Sequence, residues 1–310
     1  MKTFLRYAPV AAILLTLAGC DIHDLNGSKR YKEDFHYSYP LSAGGQLSVE
    51  TSNGGVEIAS WDRNTVEING TKYASTQESL KAIKIDISAQ PNSVRVRTIP
   101  PSGWHNSGAR YTIHVPRSVN LDQITTSNGG IRVEDIDGTA RLKTSNGGIH
   151  EVRSKGELTA TTSNGGIDVE GHEGNVHAHT TNGHVNVEAA HGSFEAETSN
   201  GSIEAHLRDP NPGWPIKAGS SNGHIDLTLD ASKLPDVRAT TSNSSILLRL
   251  PAKADARLRA TTSNSSITNE FEITIPPGEH SKHHLEGTIG AGGPSLELSS
   301  SNGSIKILKM

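Results

Sequence analysis

The sequence predicts an all-β fold: a parallel β-helix-like β-solenoid of about ten short rungs, preceded by an N-terminal β-rich capping region. Three observations predict it. A short polar tag, Thr/Ser–Ser/Thr–Asn–Gly/Ser, then Gly, Ser or His and usually Ile or Val, recurs ten times, with its asparagines at Asn53, Asn128, Asn146, Asn164, Asn182, Asn200, Asn222, Asn243, Asn264 and Asn302. The five from Asn128 to Asn200 are spaced 18 residues apart, and the next gaps are 22, 21 and 21. Between tags, apolar and polar residues alternate with a period of two, as in a strand that buries one face. A strict short period means one unit stacked on copies of itself. A thin rod needs only a thin apolar column, which suits a chain with 33% hydrophobic residues, 4% aromatic residues and 31 glycines.

The N-terminus is read separately from the fold. Lys2 and Arg6 precede an apolar stretch, Ala8 to Leu17, that is too short to span a bilayer. Residues 1–19 therefore read as a secretory signal. The stretch ends in Leu17-Ala18-Gly19-Cys20, which resembles the bacterial lipobox, and Cys20 is the sole cysteine, so no internal disulfide can form. The expectation is cleavage before Cys20, lipidation of Cys20 and a stable anchor in the cell envelope, on its periplasmic or its outer side. Residues 20–33 are polar and aperiodic and read as a tether.

Residues 34–125 form the expected capping region. Leu47, Val49, Val56 and Ile58 alternate around the first tag, and Val66-Glu67-Ile68 and Val94-Arg95-Val96-Arg97 are further strands. Ser75 to Ile83 predicts one short helix, with Ser75 and Thr76 available as caps and Leu80 and Ile83 on one face. Such a module covers strand edges that an open solenoid end exposes.

Residues 126–310 are the repeat array. Apolar residues fall six and four positions before the tag asparagine: Ala140 and Leu142, Leu158 and Ala160, Val176 and Ala178, Phe194 and Ala196, and so on to Leu296 and Leu298. Ile or Val falls three positions after it, from Ile131 to Ile305. Asn128 breaks the rule, because Asp122 stands where an apolar residue is expected. The 38 residues between Asn264 and Asn302 also depart from the repeat. Each unit reads as a strand, the tag as a corner, a second strand and a turn near Gly138, Gly156, Gly174 or Gly192. Asn-Gly suggests left-handed backbone at the corner. Asparagine stacked on asparagine suggests a side-chain ladder, and the flanking Thr and Ser suggest local hydrogen bonds in the bend. Antiparallel hairpins with Asn-Gly turns are the competing arrangement. Like side chains at like phase favour parallel stacking.

The segments Leu47-Ser48-Val49-Glu50, Val56-Glu57-Ile58-Ala59-Ser60-Trp61-Asp62, Val66-Glu67-Ile68-Asn69-Gly70-Thr71-Lys72 and Tyr111-Thr112-Ile113-His114-Val115-Pro116, together with the array, resemble the bacterial putative-adhesin family of β-strand repeat domains of unknown function, also called toastrack-like. The resemblance covers roughly residues 34–310. It implies an envelope-facing or membrane-tethered protein and no particular activity.

Candidate site residues are few. His177 and His179 share a strand and point outward, with Glu195 and Glu197 at the same positions one rung later. These four are a candidate divalent-metal site, set against a solvated face of His–Glu pairs. His184 and His224 are corner residues, and His280, His283 and His284 lie in the long insert. Glu134, Glu170 and Glu188 form one outward column but lack the paired second carboxylate of a glycoside hydrolase. Trp61, Trp104 and Trp214 mark interruptions of the pattern. No motif predicts catalysis or a cofactor. A net charge of −4 without a basic run argues against a nucleic-acid partner. The expected function is a lipid-anchored, non-catalytic binding, adhesin-like or structural module whose partner is an envelope glycan or protein. The alternatives are an envelope-stress or signalling accessory that binds a membrane regulator and, less favoured, a carbohydrate-active enzyme on a β-helix.

Overall fold

The structure, a computed structural model, describes residues 30–100, 107–275 and 280–310. Cys20, the signal segment and Trp104 lie outside the described residues. The chain is a β-solenoid whose strands stack as two sheet faces, joined into one continuous sheet by the long strand Ile167–His179, which pairs in both. The strand that leads into each tag stacks in one sheet, and the strand that follows stacks in the other. Successive rungs are parallel and in register: Ile149 lies between Ile131 and Ile167, and Ala196 between Ala178 and Ala218. Inward side chains of both sheets merge into one continuous core from Leu41 to Ile307. Each fully buried Ile or Leu in it contributes roughly 1.5–3 kcal/mol relative to exposure.

The tag works differently from the sequence expectation in two respects. The glycine after Asn is not there for left-handed backbone, since among the tags only Gly54 has positive φ. Where glycine stands there, the neighbouring rungs approach too closely for a side chain. A Cβ on Gly147 would lie 2.0 Å from the Gly129 carbonyl oxygen, and one on Gly183 would lie 1.8 Å from that of Gly165. The Thr or Ser two positions before Asn bonds across rungs as well as locally. Thr144 Oγ1 donates to the Gly129 carbonyl at 2.8 Å and Thr162 Oγ1 to that of Gly147 at 2.9 Å, a pattern that continues to Ser300. These hydroxyls are buried, so each needs the partner that the next rung supplies.

The asparagines form one unbroken side-chain ladder. Each Nδ2 donates to the Oδ1 of the preceding rung at 2.7–2.8 Å, in the order Asn53, Asn128, Asn146, Asn164, Asn182, Asn200, Asn222, Asn243, Asn302, Asn264. Ser244 and Ser265 replace the glycine at two rungs, and the ladder passes through both. The order at the far end is not sequence order. Strand Ser295–Ser300 lies between Val237–Thr241 and Ala256–Thr262, parallel to both, and Ile305–Lys309 lies between Ile246–Leu250 and Ile267–Asn269. The 38-residue gap is thus an excursion: the chain builds the outermost rung first, then returns to fill the rung beneath it. Strand His284–Ile289 covers the end, antiparallel to Ala256–Thr262.

The N-terminal region both caps the rod and extends it. Strands Ser93–Ile99 and Gly108–Pro116 make a rung outside the Asn53 rung. Antiparallel strands Tyr31–Pro40, Thr65–Ala74 and Lys84–Gln90 flank it, so ordered backbone begins inside the stretch read as tether. Helix Gln77–Ala82 starts at Thr76, whose hydroxyl accepts from the Ser79 N–H, and Leu80 and Ile83 pack with Ala74. The irregularity at Asp122 is a β-bulge. Leu121 and Ile124 take the two inward places opposite Ala140 and Leu142, which leaves Asp122 outside to meet Arg141 at 3.4 Å.

Candidate functional site

The corners of the first rungs shape a trough of about 630 Å³ on the sheet that follows the tags, a volume in the range of small-ligand sites. Its floor is Gly55, Gly130 and Gly148 with the starts of the strands that follow them. One end is built by strand Thr65–Ala74, which carries Tyr73 beyond the corner, and by Arg110 of Gly108–Pro116. The Arg110 guanidinium lies 5.9 Å from the centre of the Tyr73 ring, within cation–π range. Burial raises the pKa of the Tyr73 phenol, and Arg110 partly opposes the shift. Glu57, Arg132 and His150 stand along the trough. Arg132 is engaged by Glu134, and His150 approaches Glu170 at 3.9 Å. The far end is closed by Asp168, whose carboxylate lies 3.1 Å from His184 Nε2.

The metal candidates are placed differently. His177 Nδ1 is 3.6 Å from Glu195 and His179 Nδ1 is 3.7 Å from Glu197, all four exposed. They make two separate pairs. A flat parallel sheet holds each histidine opposite its own glutamate and keeps neighbours on one strand about 7 Å apart, so the four do not converge. Among the described residues no group of three or more His, Cys, Asp or Glu side chains is arranged to hold a metal ion. Glu134 and Glu188 are likewise met by basic neighbours, Arg153 at 3.9 Å and Arg208 at 3.4 Å. His224 pairs with Glu204 at 3.2 Å, and His284 lies 3.7 Å from Glu286. Trp61 stacks on His114 with ring centres 5.4 Å apart and donates to the Thr65 carbonyl, whereas Trp214 is exposed on the turn before Ile216–Ser220.

A buried pair escaped sequence reading. Glu151 occupies the inward column of Val133 and Val169 and is fully buried, with His172 Nδ1 3.4 Å from its carboxylate. The approach is not aligned as a hydrogen bond, while His172 Nε2 lies 3.3 Å from the Gly156 carbonyl. The signal was present in Ile149-His150-Glu151-Val152: a carboxylate at an inward phase needs a partner from another rung.

A rod of stacked rungs with a polar trough and paired surface charges defines a repeat-built scaffold of the β-solenoid class. The sequence model of the Toastrack DUF4097 family matches residues 29–230, and the chain belongs to that family. A comparison with curated proteins found no match. Two solved structures are similar. A putative cell adhesion protein from Clostridium sporogenes shows 9% identity and a TM-score of 0.29, over 91% of this chain and 100% of that one. A putative adhesin from Bacteroides fragilis shows 14% identity and a TM-score of 0.41, over 92% and 98%.

Proposed function

We propose that this protein is a non-catalytic recognition rod, anchored in the cell envelope through a lipid on Cys20, that presents its post-tag sheet to a glycan or protein partner. The observation that carries the reading is the trough. It is a concave site on a scaffold pinned rung by rung, and Arg132, His150 and Asp168 along it are held in charge pairs. No helix among the described residues is long and apolar enough to cross a membrane, and a lipidated cysteine supplies attachment without one. The lipobox-like segment supports the anchor.

Two experiments test this. Cys20→Ser is expected to release the protein into soluble fractions; unchanged membrane association would sink the anchor. Protease shaving of intact cells, with spheroplasts as control, locates the rod. Digestion on intact cells favours an adhesin-like role, and protection until the outer barrier is opened favours a periplasmic partner.

A further inference from the structure

The glycines that floor the trough answer no demand of the fold. At the first position after Asn in these tags a side chain does not fit: a Cβ on Gly54, Gly129, Gly147 or Gly165 would sit 1.9–2.1 Å from a carbonyl oxygen of the adjacent rung. At the second position one does. A Cβ on Gly55, Gly130 or Gly148 would meet nothing nearer than 3.4 Å, and none of the three has positive φ. Later tags carry side chains at this position, His184, Ser202, His224, Ser245, Ser266 and Ser304. The second glycine is confined to the four tags at Asn53, Asn128, Asn146 and Asn164. His184 lies over the last of them, since a Cβ on Gly166 would be 2.3 Å from its Cε1. The bare strip is therefore Gly55–Gly130–Gly148, bounded by His184 on Asp168 at one end and by Arg110 on Tyr73 at the other. Where the fold permits a side chain and none is present, the space itself is the feature to explain.

The walls state what the space fits. The trough crosses five adjacent strands, from Gly108–Pro116 to Ile167–His179, each about 4.8 Å from the next, so its occupant is elongated. The floor cannot pair with an added peptide strand, because its backbone is spent between rungs: Tyr111 N–H donates to the Gly55 carbonyl at 3.0 Å, Val56 N–H to that of Gly130 at 3.0 Å, and Ile131 N–H to that of Gly148 at 3.0 Å. Recognition falls to side chains. Glu57, Arg132, His150 and Asp168 stand in one column across adjacent strands, with carboxylate acceptors at its two ends and nitrogen groups between them, a mixed polar wall that matches a hydroxyl-rich chain. Among the described residues no carboxylate lies within ion-pair distance of Arg110, and the Tyr73 ring backs its guanidinium. That planar fork is suited to a carboxylate from outside.

We infer that the trough binds an acidic oligosaccharide, a sugar chain bearing carboxylates, with Arg110 taking a carboxylate and the glycine strip admitting the sugar backbone. This rests on the recognition-rod reading and narrows it. The test uses the full-length chain purified in mild detergent, with tetragalacturonate and its methyl ester as probes and calorimetry as the readout. The wild type is expected to bind the acid at least tenfold more tightly than the ester, and Arg110→Gln to remove that preference. Gly130→Ser/Gly148→Ser installs a residue that later rungs already carry; it is expected to weaken binding tenfold or more with an unchanged melting temperature. Equal binding by the filled-trough variant, no acid preference, absence of binding to tetragalacturonate, or binding of a polyglutamate peptide in its place would each overturn the assignment. Attachment of the rod to envelope material separates the two readings. If it persists in the filled-trough variant, the trough is wrong and the recognition rod stands; if the wild type attaches to nothing, the recognition reading itself fails.

Discussion

At the residue scale the fold rests on atoms that are missing as much as on atoms that are present. Gly147 and Gly148 are neighbours with opposite obligations. Gly147→Ala forces a Cβ to within 2.0 Å of the Gly129 carbonyl oxygen, so a rung must shift, and overpacking of this kind costs about 1–3 kcal/mol. Gly148→Ala places its Cβ at ordinary contact distance and restricts the unfolded chain, so it is expected to leave stability unchanged or raise it by up to about 1 kcal/mol. Thermal melts by circular dichroism check the pair, and equal melting points would refute the steric account. Asp135 supplies a pH-dependent contact. It has positive φ at the second corner and receives Arg153 Nε at 3.1 Å and Nη2 at 2.8 Å. The hydrogen bond from Arg153 comes first in holding its carboxyl below the usual carboxylate range, and the nearby charges of Arg153 and Arg117 add to it. A depressed folded pKa means that the stabilisation is present above the unfolded value and is lost as pH falls through the folded one. Both groups reach solvent, so the effect is small. Asp135→Asn is expected to lower stability slightly at neutral pH and leave it unchanged below the folded pKa, which flattens the acid side of the stability profile; an unaltered acid limb would count against the pair.

At the element scale each rung repeats one apolar column, and Glu151 interrupts it. Its position is that of Val133 and Val169, and its partner His172 comes from the next rung. Breaking a buried pair from one side is strongly destabilising, whereas replacing both sides with apolar groups is often neutral. His172→Ala is therefore expected to cost roughly 3–5 kcal/mol, and adding Glu151→Val is expected to recover most of it. Urea unfolding of the double-mutant cycle decides: additive losses would mean that the two side chains do not act together. The same strand marks the limit of what sequence reading reaches. The 18-residue period and the two-residue alternation were enough to read the rungs, because stacking in register makes every inward position repeat. Asp122 was legible as an exception but not as a bulge, since which of Leu121 and Asp122 turns inward is settled only by the rung against which they pack. The trough was illegible for a different reason. Gly54 and Gly55 look alike in sequence, and only the distance to the adjacent carbonyl separates the glycine that the corner requires from the one that leaves room.

At the scale of the whole molecule the rod is a one-dimensional stack whose rungs contact only their neighbours, yet its far end is interleaved. The segment from Ser295 to Lys309 is inserted between the Asn243 rung and the Asn264 rung and donates or accepts ladder bonds on both sides at 2.7 Å. Among the described residues, the strand pairings that join the Asn264 rung to the array run through this late strand pair. The cap at this end, strands Ala256–Thr262 and His284–Ile289, thus hangs on residues that come last in the chain. A chain ending at Gly293 is expected to lose hydrogen-exchange protection from Ala256 to Ile289 while the rungs from Asn53 to Asn200 keep theirs, because loss of one interface in such a stack is felt chiefly by the units beyond it. Retained protection at Ala256–Thr262 would mean that the outer rung can close directly onto the Asn243 rung, and that the inserted strand pair lengthens the rod without fastening its end. Loss of protection throughout would instead show that the stack unfolds as one cooperative unit, with the terminal insertion as its final lock.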